Sequence, residues 1–201
     1  MKRMSETAVA RRPVTAGRAE PNLGELLRQL RTERSLSVRT LATRAGFSPS
    51  FVSQIELNQA SPSIASLERL AAALGVTLGD FFREPTAGTP AITRAGKRRP
   101  LTSWWSRARI EPLSTTRAGR PFEAMLITIA AGGASGTRPY TPPGHQLAIV
   151  FDGALRLTLG DEVQVLARGD SVTFDADMPH RWENTGKKPA QLLIVASRPT
   201  R

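Results

Sequence analysis

Apolar residues recur at helical spacing through the first half of the chain. Leu23, Leu26, Leu27 and Leu30 share one helix face, and Leu41, Ala42 and Ala45 share the next. Val52 and Ile55 follow, then Ile64, Leu67, Leu70, Ala71 and Leu74. Start and stop residues separate these sets. Ser37 is placed to cap one helix and Gly46 to end it; Ser48 caps the next, with Pro49 at its first position. Ser61 to Ser63 opens a fourth helix and Gly75 closes it. Thr77, with Asp80 three residues on, makes a weak capping box for a last turn. The pattern predicts five short helices within residues 22–83.

The period changes from Leu101 onward. Short β-prone runs, "EAMLITIA", "QLAIVF", "ALRLTL", "VQVLA", "SVTF" and "QLLIVA", are separated by Gly, Pro and Asp. "LRLTLGDEVQVLA" reads as a hairpin with Gly160–Asp161 at or near its turn. Such strands without intervening helices predict an all-β barrel or sandwich. Between the halves, "PTAGTPAITRAGKRRP" has no period and reads as a linker, with a short strand near Ala91–Thr93. The expected organisation is a disordered basic tail over 1–20, a helical domain over 21–84, a basic linker over 85–100 and a β domain over 101–201.

Composition narrows the chemistry. The 201 residues are 40% hydrophobic, enough to bury cores in two small domains. With no cysteine, disulfides, zinc fingers and thiol nucleophiles are excluded. The longest apolar run, "AMLITIAAGGA", is far short of the roughly 20 residues a membrane helix needs. The N-terminus lacks the apolar core of a secretory signal. These features predict a soluble, cytoplasmic, nucleoid-associated protein with no membrane partner. The net charge of +11 points to a polyanionic partner, and the basic excess is densest in the tail and in "TRAGKRRP".

Within the helical half, "LSVRTLATRAGFSPSFVSQIELNQASPSIASLERLAAALGV" places a helix, a short Gly46 turn and a second helix in immediate order. Small Ala42 and Gly46 let the two cross closely, the geometry that presents a second helix to a DNA major groove. Through "SPSFVSQIE", "SPSIASLERLAAALGV" and "TLGDFF", residues 22–83 resemble the helix-turn-helix domain of the Xre, phage repressor-like, regulators. The resemblance implies a five-helix, lambda-repressor-like domain whose third helix, about Pro49–Leu57, reads bases. Pro49, Ser50, Ser53 and Gln54 would face the DNA, and the Gln54 amide can pair twice with adenine. Arg39 and Asn58 would contact phosphate, with Arg44 a weaker candidate. The family's usual Arg-Gly is Leu57–Asn58 here, and its usual Gln is Val38. Asn58 tolerates the left-handed backbone needed at that corner. Glu56 reads as a structural ion pair or cap, Phe51 as packing and Ser48 as a cap.

In the second half, "GDSVTFDADMPHRWENTG" runs Gly-Asp, strand, turn, His180 and Asn184. It resembles the second conserved motif of the cupins, a double-stranded β-helix barrel. His180 matches the family's metal-binding histidine and Asn184 the asparagine that closes the motif, while Asp177 replaces the usual glycine. In the first motif, aligned on Gly153, Tyr140 and Pro142 stand where the histidines belong and Gln146 where the glutamate belongs. Three of the four ligand positions therefore bind divalent metal poorly. His145 is out of register, and adjacent strand residues face opposite ways. No metal or other cofactor is expected. Arg138, Tyr140, Gln146, His180 and Trp182 are the candidate lining of an effector cavity, with an acidic effector if Arg138 enters it. Trp104–Trp105 reads as packing or a dimer contact.

Together the resemblances imply a transcriptional regulator rather than an enzyme. It would bind double-stranded DNA as a homodimer and answer to a small molecule held in the barrel. Arg94, Lys97, Arg98 and Arg99 would add phosphate contacts or stay solvated. A helix-turn-helix fused to a cupin also resembles the iron-dependent phosphonate epoxidases, whose His, Glu, His triad is incomplete here. A third possibility is a DNA-binding protein whose barrel only dimerises.

Overall fold

The computed structural model describes residues 23–82, 92–104, 106–114 and 122–197. The predicted basic tail and most of the first part of the linker lie outside the described residues. Among the described residues four α-helices come first: α1, Leu23–Glu33; α2, Val38–Ala45; α3, Pro49–Glu56; and α4, Ile64–Leu74. Their ends are set by the residues the sequence marks. Ser37, Ser48 and Ser63 accept backbone N–H bonds from Thr40, Phe51 and Ser66, while Gly46 and Gly75 close α2 and α4 in left-handed conformations at φ 67° and 68°. Leu27, Leu41, Val52, Ile55, Leu67 and Leu70 are buried together where the helices cross. Each such side chain contributes about 1.5–3 kcal/mol of burial.

The expected fifth α-helix is a 3₁₀ helix, Leu78–Phe82. The capping box is present, since Asp80 Oδ2 accepts the Thr77 backbone N–H at 3.0 Å. The Asp80 N–H, however, donates to the Thr77 carbonyl at 3.0 Å, which closes the tighter ring. The Gly79 N–H is held at 3.0 Å by Glu123 from the β half, which fixes this short turn from outside.

Among its described residues the β half has nine strands: β1, Leu101–Ser103; β2, Ala108–Pro112; β3, Phe122–Ile129; β4, His145–Asp152; β5, Ala154–Leu159; β6, Glu162–Ala167; β7, Ser171–Asp175; β8, His180–Glu183; and β9, Ala190–Ser197. A six-stranded sheet in the order β1-β2-β3-β9-β4-β7 and a three-stranded sheet in the order β6-β5-β8 share one core. The β5–β6 hairpin turns at Gly160–Asp161, with Gly160 at φ 58°. Six strands coincide with the predicted runs. β1, β2 and β8 were not predicted; they are three to five residues long and carry too few apolar positions to show a period. The strand expected near Ala91–Thr93 does not form: Ile92 and Thr93 are irregular, and Ala91 lies outside the described residues. A short 3₁₀ helix, Ala95–Lys97, stands there instead.

The halves touch along α4 and the 3₁₀ helix after it. The Ala65 N–H donates to the Ser135 carbonyl at 3.0 Å, and the Trp104 N–H to the Ser61 hydroxyl at 3.1 Å. The Thr77 hydroxyl lies 2.6 Å from Glu123 Oε2. Glu123 alternates in register with the buried Met125, Ile127 and Ile129, so it sits at the end of the inward row of β3. The helical part is therefore bonded to one mouth of the barrel.

Candidate functional site

Two places in the molecule carry chemistry. The first is the outer face of α3. Burial of Val52 and Ile55 against the bundle turns the opposite face outward. Pro49, Ser50 and Gln54 are exposed and Ser53 is half-buried. Arg39 and Arg44 are exposed on α2. A bidentate ion pair fixes the back of α3: Arg31 Nε and Nη2 donate to Glu56 at 2.6 and 2.9 Å. Arg31 Nη1 also holds the Leu36 carbonyl at 2.8 Å. Glu56 is thus structural, as its sequence context suggests, and so is Phe51, half-buried with its ring 5.1 Å from Phe47.

Asn58 takes the left-handed conformation at φ 58°. Its side-chain oxygen accepts the Gly24 N–H at 3.1 Å, so one end of this amide is committed to the start of α1. Two positioning residues carried no signal in the sequence. Arg31 meets Glu56 across 25 positions, and Arg69 stacks 4.2 Å over Phe47 while donating to the Gly46 carbonyl at 2.9 Å. Both pairings are long-range, and no local pattern announces them. In the linker, Arg98 pairs with Glu111 at 3.5 Å and is anchored to β2, whereas Arg94 and Lys97 are exposed.

The second place is the barrel interior. Tyr140, Gln146, His180 and Trp182 are all buried. Tyr140 bridges to His180 by paired backbone hydrogen bonds, and their rings lie 4.5 Å apart. Phe174, opposite Gln146 in the ladder, puts its ring 4.8 Å from His180 on another side. Among the described residues, three polar atoms in this group have no hydrogen-bond partner: Gln146 Oε1, His180 Nε2 and Trp182 Nε1. Unpaired polar atoms in a core each cost about 1–3 kcal/mol, so their grouping calls for an explanation. His180 Nδ1 lies 2.9 Å from the Met178 carbonyl, which places the proton on Nδ1 and leaves Nε2 as an acceptor. Burial pushes the imidazole pKa down against the opposing pull of that carbonyl, and the ring is neutral at neutral pH. The interior so offers two acceptors and one donor.

Not every candidate joins this group. Arg138 does not reach the interior set: it stands in a run of three exposed residues, Thr137, Arg138 and Pro139, just before the buried Tyr140. His145 faces solvent, its Nδ1 2.6 Å from Asp175 Oδ1, and Gln146 faces in, as alternation along a strand requires. Trp104 is 80% exposed and does not pack in the core; Trp105 lies outside the described residues. Asn184 closes its loop, its Nδ2 donating to the Ile129 and Lys188 carbonyls at 2.8 Å each. The metal of the cupin fold does not fit these residues. Pro142 has no donor, Tyr140 and Gln146 are poor ligands, and only His180 presents a free nitrogen. Among the described residues no three His, Cys, Asp or Glu side chains cluster as a metal site.

Known proteins divide the chain along the same line. Residues 27–81 match the helix-turn-helix family model, and residues 125–196 match the cupin domain model. The chain is 31% identical to the HTH-type transcriptional regulator SutR of Escherichia coli, over 83% of this chain and 89% of that protein. It is 25% identical to the regulator PuuR of the same organism, over 88% of this chain and 95% of PuuR. A crystal structure of an HTH_3 family transcriptional regulator from Vibrio cholerae shares the fold at TM-score 0.69 and 23% identity, over 90% of this chain and 97% of that one. No helix among the described residues is long and apolar enough to cross a membrane. The chain thus belongs to the DNA-binding transcriptional regulators that join an Xre-type helix-turn-helix domain to a C-terminal cupin domain.

Proposed function

We propose that this regulator binds a near-palindromic DNA site as a homodimer and that a small metabolite in the cupin barrel controls it. The observation that carries the effector reading is the buried group Tyr140, Gln146, His180 and Trp182, with three polar atoms lacking partners among the described residues. A molecule bearing both a donor and an acceptor would satisfy them, and that gain favours the liganded state. On the DNA side, Gln54 is the direct reader, supported by Pro49, Ser50 and Ser53, while Arg39, Arg44 and the remaining end of the Asn58 amide hold phosphate. One such helix is too small to specify a site, so two copies would set their helices about 34 Å apart. Leu147 and Phe151 on the outer face of β4, and Val163 and Val165 on the edge strand β6, are exposed apolar groups that a second copy could cover.

The protein in this reading is cytoplasmic and acts by binding, not catalysis. The donor set Tyr140, Pro142, Gln146 and His180 does not make the facial triad that iron oxygenase chemistry needs. The test is a selection of bound genomic fragments at two salt concentrations. A shared inverted repeat, together with a thermal shift from at least one of a panel of amino acids, polyamines, sugars and organic acids, is the expected result. A shared site with no ligand shift would leave a barrel that only dimerises.

A further inference from the structure

Three loops at one end of the β half stand against the connection from α3 to α4. Ala108, Ile129 and Ala190 are in register across β2, β3 and β9, so the turn before β2, the loop after β3 and the loop before β9 share that end. The Trp104 N–H is bonded to the Ser61 hydroxyl, three positions beyond Asn58, and Trp104 itself is 80% exposed. The Arg107 N–H closes a turn onto the Trp104 carbonyl at 3.3 Å. Its exposed guanidinium lies over Gly132, where a Cβ would stand 3.5 Å from Nη1. The Gly132 N–H donates to the Asn184 carbonyl at 2.9 Å, and Asn184 Nδ2 donates to the Lys188 carbonyl at 2.8 Å. Lys187 and Lys188 are exposed at that corner. The loop after β3 also reaches the helical half. A Cβ on Gly136 would come within 2.5 Å of the Ala65 Cβ, so the backbone lies directly on the first turn of α4, and the exposed Arg138 follows two residues on.

We propose that this collar, Trp104, Arg107, Arg138, Lys187 and Lys188, is a second DNA contact, through which the cupin half itself holds the phosphate backbone beside the half-site. The proposal rests on the reading of α3 and Asn58 as the DNA face, and extends that face beyond the helical half. Consecutive Cα atoms are about 3.8 Å apart, so Ser61 lies within about 11 Å of Asn58. The turn keeps the Arg107 Cα within about 7 Å of that of Trp104. A duplex carries one phosphate per about 1.7 Å of its axis, so a surface that begins this close to one phosphate contact meets several more. Among the described residues none of the four cations enters an ion pair, whereas Arg181, on the strand beside Arg138, is taken up by Glu183 at 2.9 Å. Exposed cations in this state neutralise phosphates and release counterions without first breaking an internal pair. Trp104 adds an indole N–H donor and a flat apolar face to lie along the backbone.

Such a contact has a signature of its own. Phosphate contacts fix placement and carry no sequence information, so the collar adds affinity for every DNA and leaves the choice of site to α3. Its cations add to the salt dependence, and Trp104, being uncharged, does not. The collar also gives the cupin half a direct hold on DNA. Any change in its placement against α4 moves these side chains along the backbone, so DNA has a different affinity for each placement.

The experiment titrates the full chain against a selected site and its scrambled counterpart over a range of salt concentrations. One variant joins Arg107→Gln, Arg138→Gln, Lys187→Gln and Lys188→Gln. Its slope of log affinity against log salt falls by about 2–3, since each phosphate contact contributes about 0.9, while its preference for the selected site is unchanged. Trp104→Ala weakens binding to both DNAs by about fivefold and keeps the parent slope. Lys187→Gln with Lys188→Gln, on one exposed loop, serves should the fourfold variant not fold, and lowers the slope by about 1–2. An unchanged slope in a folded variant overturns the proposal. So does a loss of self-association in the DNA-free variant, read by sedimentation, which would assign the collar to a protein contact. Gln54→Ala on the same DNAs separates the two readings. Preference lost in Gln54→Ala with an unchanged collar slope rejects the collar alone. Preference kept in Gln54→Ala with a lowered collar slope rejects the α3 reading and leaves the collar.

Discussion

The helical half and the barrel handle polar groups in opposite ways. In the helical half, the residues proposed to read DNA lie outside, and the ion pair behind them, Arg31 and Glu56, is satisfied through two hydrogen bonds. Every buried side-chain polar atom without a partner among the described residues belongs to residues 98–182, and three of them surround one interior. A surface built to meet phosphates and base edges needs a rigid, fully paired support, because water already solvates it before DNA arrives. An interior built to meet a small molecule leaves groups unsatisfied until that molecule arrives. The contrast separates the half that binds DNA from the half proposed to sense.

That contrast can be broken by removing one partner from the paired side. Glu56→Gln leaves Arg31 with an uncompensated, largely buried charge and should cost about 3–5 kcal/mol, read by urea denaturation. A cost below about 1 kcal/mol would mean that the support of α3 does not depend on this pair. The next effect is on recognition. Gln54→Ala should lose about 1–3 kcal/mol of preference for the selected site over scrambled DNA, with the fold intact by circular dichroism.

On the unpaired side, His180 gives a directional test. Its folded pKa lies below the unfolded value, so the folded state binds fewer protons as pH drops through the unfolded pKa near 6.5. Stability should then fall on acidification below about 6.5, and His180→Gln should flatten that loss in thermal melts at pH 7 and 5. Glu68 has the opposite sign. With its pKa raised to about 8, it costs stability as pH rises from its unfolded value of 4.5, and Glu68→Gln should melt higher than the parent at pH 8.5. The smallest effect belongs to the phosphate contacts. Arg39→Ala should lower the slope of log affinity against log salt by about 1 without changing sequence preference.

How far each half was legible in the sequence follows the same division. Helix ends at Ser37, Ser48, Ser63, Gly46 and Gly75 are local signals, written within one turn of the bond they make. The inward face of α3 follows from the spacing of Val52 and Ile55 alone. The barrel is held by pairings such as β3 with β9 and β4 with β9, which join positions far apart in the chain. Strand periods located six of its nine strands and put Gln146 in and His145 out. They could not find β1, β2 and β8, nor tell that Arg138 stays on the surface. The five-helix expectation missed only in its last member, where contact with Glu123 from the barrel holds a 3₁₀ turn.

The central claim, that the exposed face of α3 reads DNA sequence, is tested most directly by fluorescence anisotropy on one selected site and its scrambled counterpart. The parent and Gln54→Ala are titrated at two salt concentrations. The account predicts that the parent prefers the selected site at both salts and that Gln54→Ala loses about fivefold or more of that preference while keeping its affinity for scrambled DNA. An equal preference in the two proteins, or a parent that binds both sequences alike with the same salt dependence, would contradict it.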